Sequence, residues 1–200
     1  MPLSEPRQPR QPLHTRAITF QGYEREDGLW EIEGHIVDTK SYGFPNQDRG
    51  RIEAGEPIHD LWLRLAIDET FTIREAEAAM DGTPFNYCVE IAPAFHALEG
   101  LTIESGWHRE VAKRLGGVHG CTHLVELLRP MATAAVQTIM PARARRHPKS
   151  SDSPPMPPSQ LNKCHSFADD GPIVKERMPE YYKGTDSWIH HHGAPRGSNR

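Results

Sequence analysis

Residues 14–40 read HTRAITFQGYEREDGLWEIEGHIVDTK. Ile18 and Phe20 alternate with Ala17 and Thr19. Asp27-Gly28 supplies residues that tolerate positive φ in a tight turn, and Trp30, Ile32 and Ile36 share one face of the returning arm. The stretch predicts a β-hairpin. Working outward, residues 58–80 predict a second hairpin, IHDLWLRLAID-ET-FTIREAEAAM. Leu61, Leu63, Leu65 and Ile67 lie on one face, with Asp60, Trp62 and Arg64 on the other. The strand after it starts near Phe71, although its tail EAEAAM carries helical propensity. Between the hairpins, residues 41–57 are rich in Gly, Pro, Asn and Asp and read as a loop.

From Pro84 the period changes from two to helical. Ile91, Phe95 and Leu98 fit a helix stopping at Gly100. Trp107, Val111 and Leu115 fit a second, ending at Gly116-Gly117. A third runs from about Thr122 to Ile139, with Leu124, Leu127, Leu128, Met131 and Ala135 as its apolar stripe, and stops at Pro141. Strands first and helices later argue for an α+β fold. The expected architecture is an antiparallel sheet from two N-terminal hairpins, covered by about three helices.

The flanks differ in composition. Residues 1–13 are Pro/Arg/Gln-rich and read as a disordered lead-in to a single domain over 14–140. Residues 141–160 read as a disordered linker, 161–182 as a short segment able to pack back on the domain, and 183–200 as a loose tail. The chain has 200 residues, 36% of them hydrophobic, and 18 prolines, which fits an ordinary domain diluted by such segments. The net charge of −4 provides no general attraction to nucleic acid or anionic lipid. No apolar run approaches the ~18 residues of a membrane span, and the N-terminus has no secretory hydrophobic stretch. Three cysteines, an odd and small number, suit reduced thiols, so a cytoplasmic location is expected. No Walker loop, dinucleotide glycine fingerprint or G-x-S-x-G elbow is present. The basic run Arg143, Arg145, Arg146, Lys149 has no interleaved aromatics and reads as solvated linker.

LGGVHGCTHLVELL (115–128) is the most informative stretch for chemistry. Gly116, Gly117 and Gly120 bring the chain sharply into a helix, with Cys121 near the N-cap and His123 in the first turn. Backbone amides and the dipole at a helix start stabilise anionic sulfur, and thiolate and neutral imidazole are good zinc or iron ligands. The alternative is a small cysteine packed under a glycine turn, with a capping histidine. Cys88 lies just before the first expected helix, and core packing is its plain reading unless the fold brings it near Cys121. His59-Asp60 opens a strand, where successive side chains point to opposite faces, so both enter one site only through a bulge or strand-end twist. The candidate metal set is therefore His59, Asp60, Cys88, Cys121 and His123. Cys164-His165 either completes it or is unrelated, and His190–His192 is a run that binds adventitious metal.

Taken together, HTRAITFQGYEREDGLWEIEGHIVDTK, GEPIHDLWLRLAID and GWHREVAKRLGGVHGCTHLVELL resemble the bacterial domain of unknown function 2889 family over roughly residues 12–140, continuing through LNKCHSF to MPEYY. That family carries no assigned function. The order of strands and helices is also similar to the iron–sulfur cluster scaffold family (NifU/IscU type). That resemblance matches Asp60 to the scaffold's aspartate, Cys88 to its second cysteine and Cys121 with His123 to its last pair. The chain departs from it at the first cysteine, which falls at Ile58 with only His59 nearby, and in reading Cys-Thr-His rather than His-Cys. A mixed Cys/His/Asp set suits zinc or a mononuclear metal at least as well as a cluster.

Three readings follow. One is a metal-binding (zinc or iron) or sulfur-handling protein using the Cys/His/Asp set. Another is a non-catalytic accessory module that binds a protein partner. The third is a cysteine-dependent hydrolase or acyl-transfer enzyme, with Cys121 as nucleophile, His123 or His119 as base and the glycine-rich helix start as oxyanion site.

Overall fold

In the computed structural model, which describes residues 3–146 and 161–184, the two hairpins form as the alternation predicts. Strands β1 (His14–Glu24), β2 (Trp30–Lys40), β5 (His59–Ile67) and β6 (Ile73–Gly82) make an antiparallel sheet in the order β1-β2-β5-β6. The register sets Ile18 against Ile36, Ile36 against Leu61, and Leu61 against Met80. One face thus becomes a continuous apolar layer of Trp30, Ile32, Ile36, Leu61, Leu63, Leu65 and Ile67, all buried. Gly28 takes φ 87° in the first turn, where a side chain would be strained.

The EAEAAM tail is strand through to Gly82. Its helical propensity, a few tenths of a kcal/mol per residue, gives way to the ladder offered by β5. Residues 41–57 are not all loop. Phe44–Asn46 (β3) and Gly50–Ile52 (β4) pair as a small second sheet around Asn46, whose side chain accepts from the Asp48 and Arg49 amides. Ile52 is fully buried, which anchors this hairpin.

The segment Asn86–Leu98 is a 3₁₀ helix, not an α-helix. Pro93 lies inside it and removes an amide donor. Phe95 and Leu98 are its buried anchors, and the segment packs along β6. Helix α1 (Trp107–Leu115) ends at Gly116, as its glycine pair predicts. Helix α2 (Thr122–Arg146) continues past Pro141, so residues 141–146 are helix rather than linker. Ile139 and Ala142 carry the apolar stripe across the proline, and Arg146 pairs with Glu24 and sits 4.8 Å over the Trp30 ring.

Helix α2 lies across the apolar face, over β1, β2 and β5. It approaches closely because Gly22 and Gly34 leave room. A Cβ built on Gly22 would sit 2.0 Å from Thr138 Oγ1, and one on Gly34 would sit 3.1 Å from Met131 Sδ. Gly22→Val is accordingly expected to cost about 2 kcal/mol by forcing helix from sheet. Urea unfolding checks this, and a loss below about 0.5 kcal/mol would show that the contact yields freely.

The chain divides into two compact units, Met1–Pro148 and Lys149–Arg200. In the second, 3₁₀ turns at His165–Phe167 and Pro179–Tyr181 flank α3 (Pro172–Arg177). Residues 147–160 and 185–200, which include Lys149 and His190–His192, lie outside the described residues. Among the described residues, no helix is long and apolar enough to cross a membrane.

Candidate functional site

At the end of the sheet where α2 begins, core-facing positions turn polar. Asp38 has the same parity on β2 as Ile32 and Ile36, and its side chain is only 3% exposed. A buried carboxylate is tolerated only when fully hydrogen-bonded. Asp38 meets this from two strands. On β1, Arg16 donates from Nε to Oδ1 and from Nη2 to Oδ2, both at 2.9 Å, a two-point clamp. His14 Nε2 stands 2.9 Å from Oδ1. On β5, His59 Nδ1 stands 3.0 Å from Oδ2.

Burial pushes the Asp38 carboxyl up, but hydrogen bonds from Arg16, His14 and His59 and the Arg16 charge outweigh it and hold the pKa at about 2. Asp38 is therefore ionised at neutral pH. His59 moves below its ordinary range. Its burial and the neighbouring His123 outweigh the pull of Asp38, so the ring is neutral at pH 7.

The fourth wall is the first turn of α2. His123 brings its ring to 3.9 Å from that of His59, tilted by 35°. Three residues on, Glu126 accepts from Arg16 Nη1 at 2.6 Å, tying the helix start to the β1 clamp. Cys121 precedes the helix, its carbonyl accepting from the Val125 amide at 2.9 Å, and its Sγ lies 3.9 Å from His123 Nδ1. One ligand atom from each of Asp38, His59 and His123 falls within 4.8 Å of the others. Carboxylate and two imidazoles arrive from β2, β5 and α2, three separate elements.

The structure distributes the sequence-derived candidates unevenly. His59 and His123 meet, with Cys121 beside them. Asp60 points to the opposite face of the sheet, as strand alternation requires. There its Oδ1 pairs with His35 Nε2 at 2.6 Å, and His35 stacks on Trp62 at 3.6 Å. The bulge next to Asp60 does not turn it inward. Asp38 takes the carboxylate place instead. Cys88 sits inside the 3₁₀ segment rather than before a helix, and with Cys121 it lines a shared depression. Cys164 is exposed in the second unit. His14, Arg16, Asp38 and Glu126 were missed, although His14 and Arg16 alternate in step with Phe20, which packs against the core, and Asp38 with the core residue Ile36.

A family model described as "Protein of unknown function (DUF2889)" matches residues 14–137. The chain belongs to this family. The DUF2889 match begins at His14 and contains every residue of the cluster around Asp38. No curated protein and no solved structure matches the chain. The resemblance to the iron–sulfur scaffolds implies Asp60 beside Cys121 and His123, whereas in this DUF2889 domain Asp60 lies across the sheet from them.

Proposed function

We propose that this DUF2889 domain binds a divalent metal ion, zinc or iron, between Asp38, His59 and His123. The observation that supports this reading is the convergence of three ligand atoms within 4.8 Å from three separate elements. Metal ligands must be deprotonated, and Asp38 is ionised and His59 neutral at pH 7. Two imidazoles and one carboxylate suit zinc and iron(II). Three protein ligands leave coordination positions open, as in catalytic rather than closed structural sites. Arg16 and His14 steer the carboxylate, but an ion would have to displace a hydrogen bond already made to Asp38, such as that from His59, and the Arg16 charge opposes it, so the affinity belongs well below that of closed cysteine-rich zinc sites.

The test uses the full chain with His190, His191 and His192 replaced by Ala, because a histidine run binds metal on its own. Protein purified anaerobically is expected to hold about one zinc or iron per chain. His123→Ala is expected to reduce this to below about a tenth, since removing one of three ligands costs several kcal/mol. Retained folding by circular dichroism completes the comparison. Metal content unchanged in His123→Ala, or none in the parent, would overturn the reading.

A second reading rests on the Cys121–His123 pair at 3.9 Å. In it, Cys121 is a nucleophile, His123 takes its proton, and no metal is involved. A metal-free parent protein acylated at Cys121 by an activated ester would favour this reading over the first.

A further inference from the structure

Cys88 and Cys121 come from separate elements, the 3₁₀ segment Asn86–Leu98 and the approach to α2, yet both open onto one depression of about 350 Å³. Tyr87, Ile91, Val118 and Gly120 share its lining. This volume falls at the lower end of the range of small-molecule sites. Both residues are half-buried and carry free thiols. Tyr87 is 77% exposed and Val118 89%, which gives the depression an apolar rim. Gly120 is confined to a bare backbone there, because a Cβ would meet Leu115 O at 2.3 Å.

We propose that Cys88 and Cys121 are a reactive dithiol whose reaction partner is a low-molecular-weight disulfide. Cys121 gives up its proton to solvent and attacks one sulfur of the small disulfide. The S–S bond of that molecule breaks, a mixed disulfide forms on Cys121, and the departing thiolate carries off the bonding electron pair and takes up the proton. Cys88 then loses its proton and attacks the Cys121 sulfur. The protein disulfide closes, and the second small thiolate leaves and is protonated. Two protein thiols are oxidised by two electrons, and one small disulfide is reduced to two thiols. The step needs no metal, although Cys121 lies beside His123 of the proposed metal site.

The test uses the full chain carrying Cys164→Ser, because Cys164 is exposed and reacts on its own account. Protein is treated with oxidised glutathione under anaerobic conditions, with a chelator present so that metal has no influence. Alkylation of free thiols and peptide mass spectrometry follow. The expected result is a disulfide-linked pair of peptides containing Cys88 and Cys121, reversed by dithiothreitol. In a Cys88→Ser variant, glutathione is expected to remain on Cys121, since the resolving thiol is gone. Full alkylation of both cysteines after treatment would overturn the proposal. So would a Cys88→Ser protein carrying no glutathione at Cys121. The wild-type pair is read without substitution at either position, so misfolding of a variant cannot decide the outcome.

Discussion

Asp38→Ala is expected to lower the stability of the DUF2889 domain by about 3 kcal/mol, measured as a shift in urea midpoint at pH 7 with unchanged slope. The carboxylate is 3% exposed and holds Arg16 by two hydrogen bonds, with His14 and His59 alongside. Its removal leaves Arg16 Nε and Nη2 and His59 without that acceptor, with only Arg16 Nη1 still held by Glu126. Breaking a fully buried charged pair costs about 3–5 kcal/mol, and the figure is set at the lower end because the Arg16 side chain is 32% exposed and regains water. The same cluster gives an acid dependence. The unfolded Asp38 carboxyl takes up a proton near its ordinary value of 3.8, while the folded one stays ionised to about 2. Its contribution is complete above about pH 4 and is lost as pH falls toward 2. His59 acts in the same direction at higher pH. Its folded value lies below 6.5, so the unfolded chain protonates first and stability declines as pH falls below 6.5. Asp38→Ala should remove the lower of these two stages. A midpoint shift below about 1 kcal/mol would mean that Arg16 and the histidines find water or other acceptors easily.

Zinc added at about a hundred times its dissociation constant is expected to stabilise the domain by about 2.7 kcal/mol. For a domain of this size the melting temperature should rise by about 5–10 °C. Binding links the ends of β2, β5 and α2, which separate on unfolding. The gain should persist in the chain lacking the 190–192 histidines and vanish in the His59→Ala, His123→Ala double variant. It should also fade on acidification as His59 protonates, long before Asp38 does, because the carboxylate is held at about 2. Equal stabilisation of parent and double variant would place the zinc elsewhere.

The sheet was legible because two strands alternate apolar and polar residues with few exceptions, and Gly28 marks the turn between two arms. Helices α1 and α2 were legible from Trp107-Val111-Leu115 and the Leu124 to Ala135 stripe. The 3₁₀ character of 86–98 was not, because Ile91, Phe95 and Leu98 have the same spacing in either helix and only Pro93 hints at the difference. The candidate site was half legible. His59, Cys121 and His123 are conspicuous by type and position. Asp38 is not, since VDTK reads as an ordinary polar strand end. Its burial arises from the pairing of Asp38 with His59 across β2 and β5, a nonlocal fact. A parity count would have exposed it. His14, Arg16, Asp38 and His59 all occupy positions in step with core residues, where unpaired polar groups are costly. Asp60 attracted attention by adjacency to His59, and adjacency along a strand is what separates side chains.

Helix α2 is fastened at both ends, to β1 at Glu126 through Arg16 and to the far end of the same strand at Arg146 through Glu24. Its 25 residues make a beam of about 37 Å. Pro130 and Pro141 lie within it, so the two ties to β1 help to hold its course across the sheet. Loosening the distal pin at Glu24 or Trp30 would give His123 a longer lever arm and wider angular play, with no atom of the cluster altered. The placement of His123 beside Asp38 therefore depends in part on an ion pair at the opposite end of the domain, whose chemistry has nothing to do with the cluster.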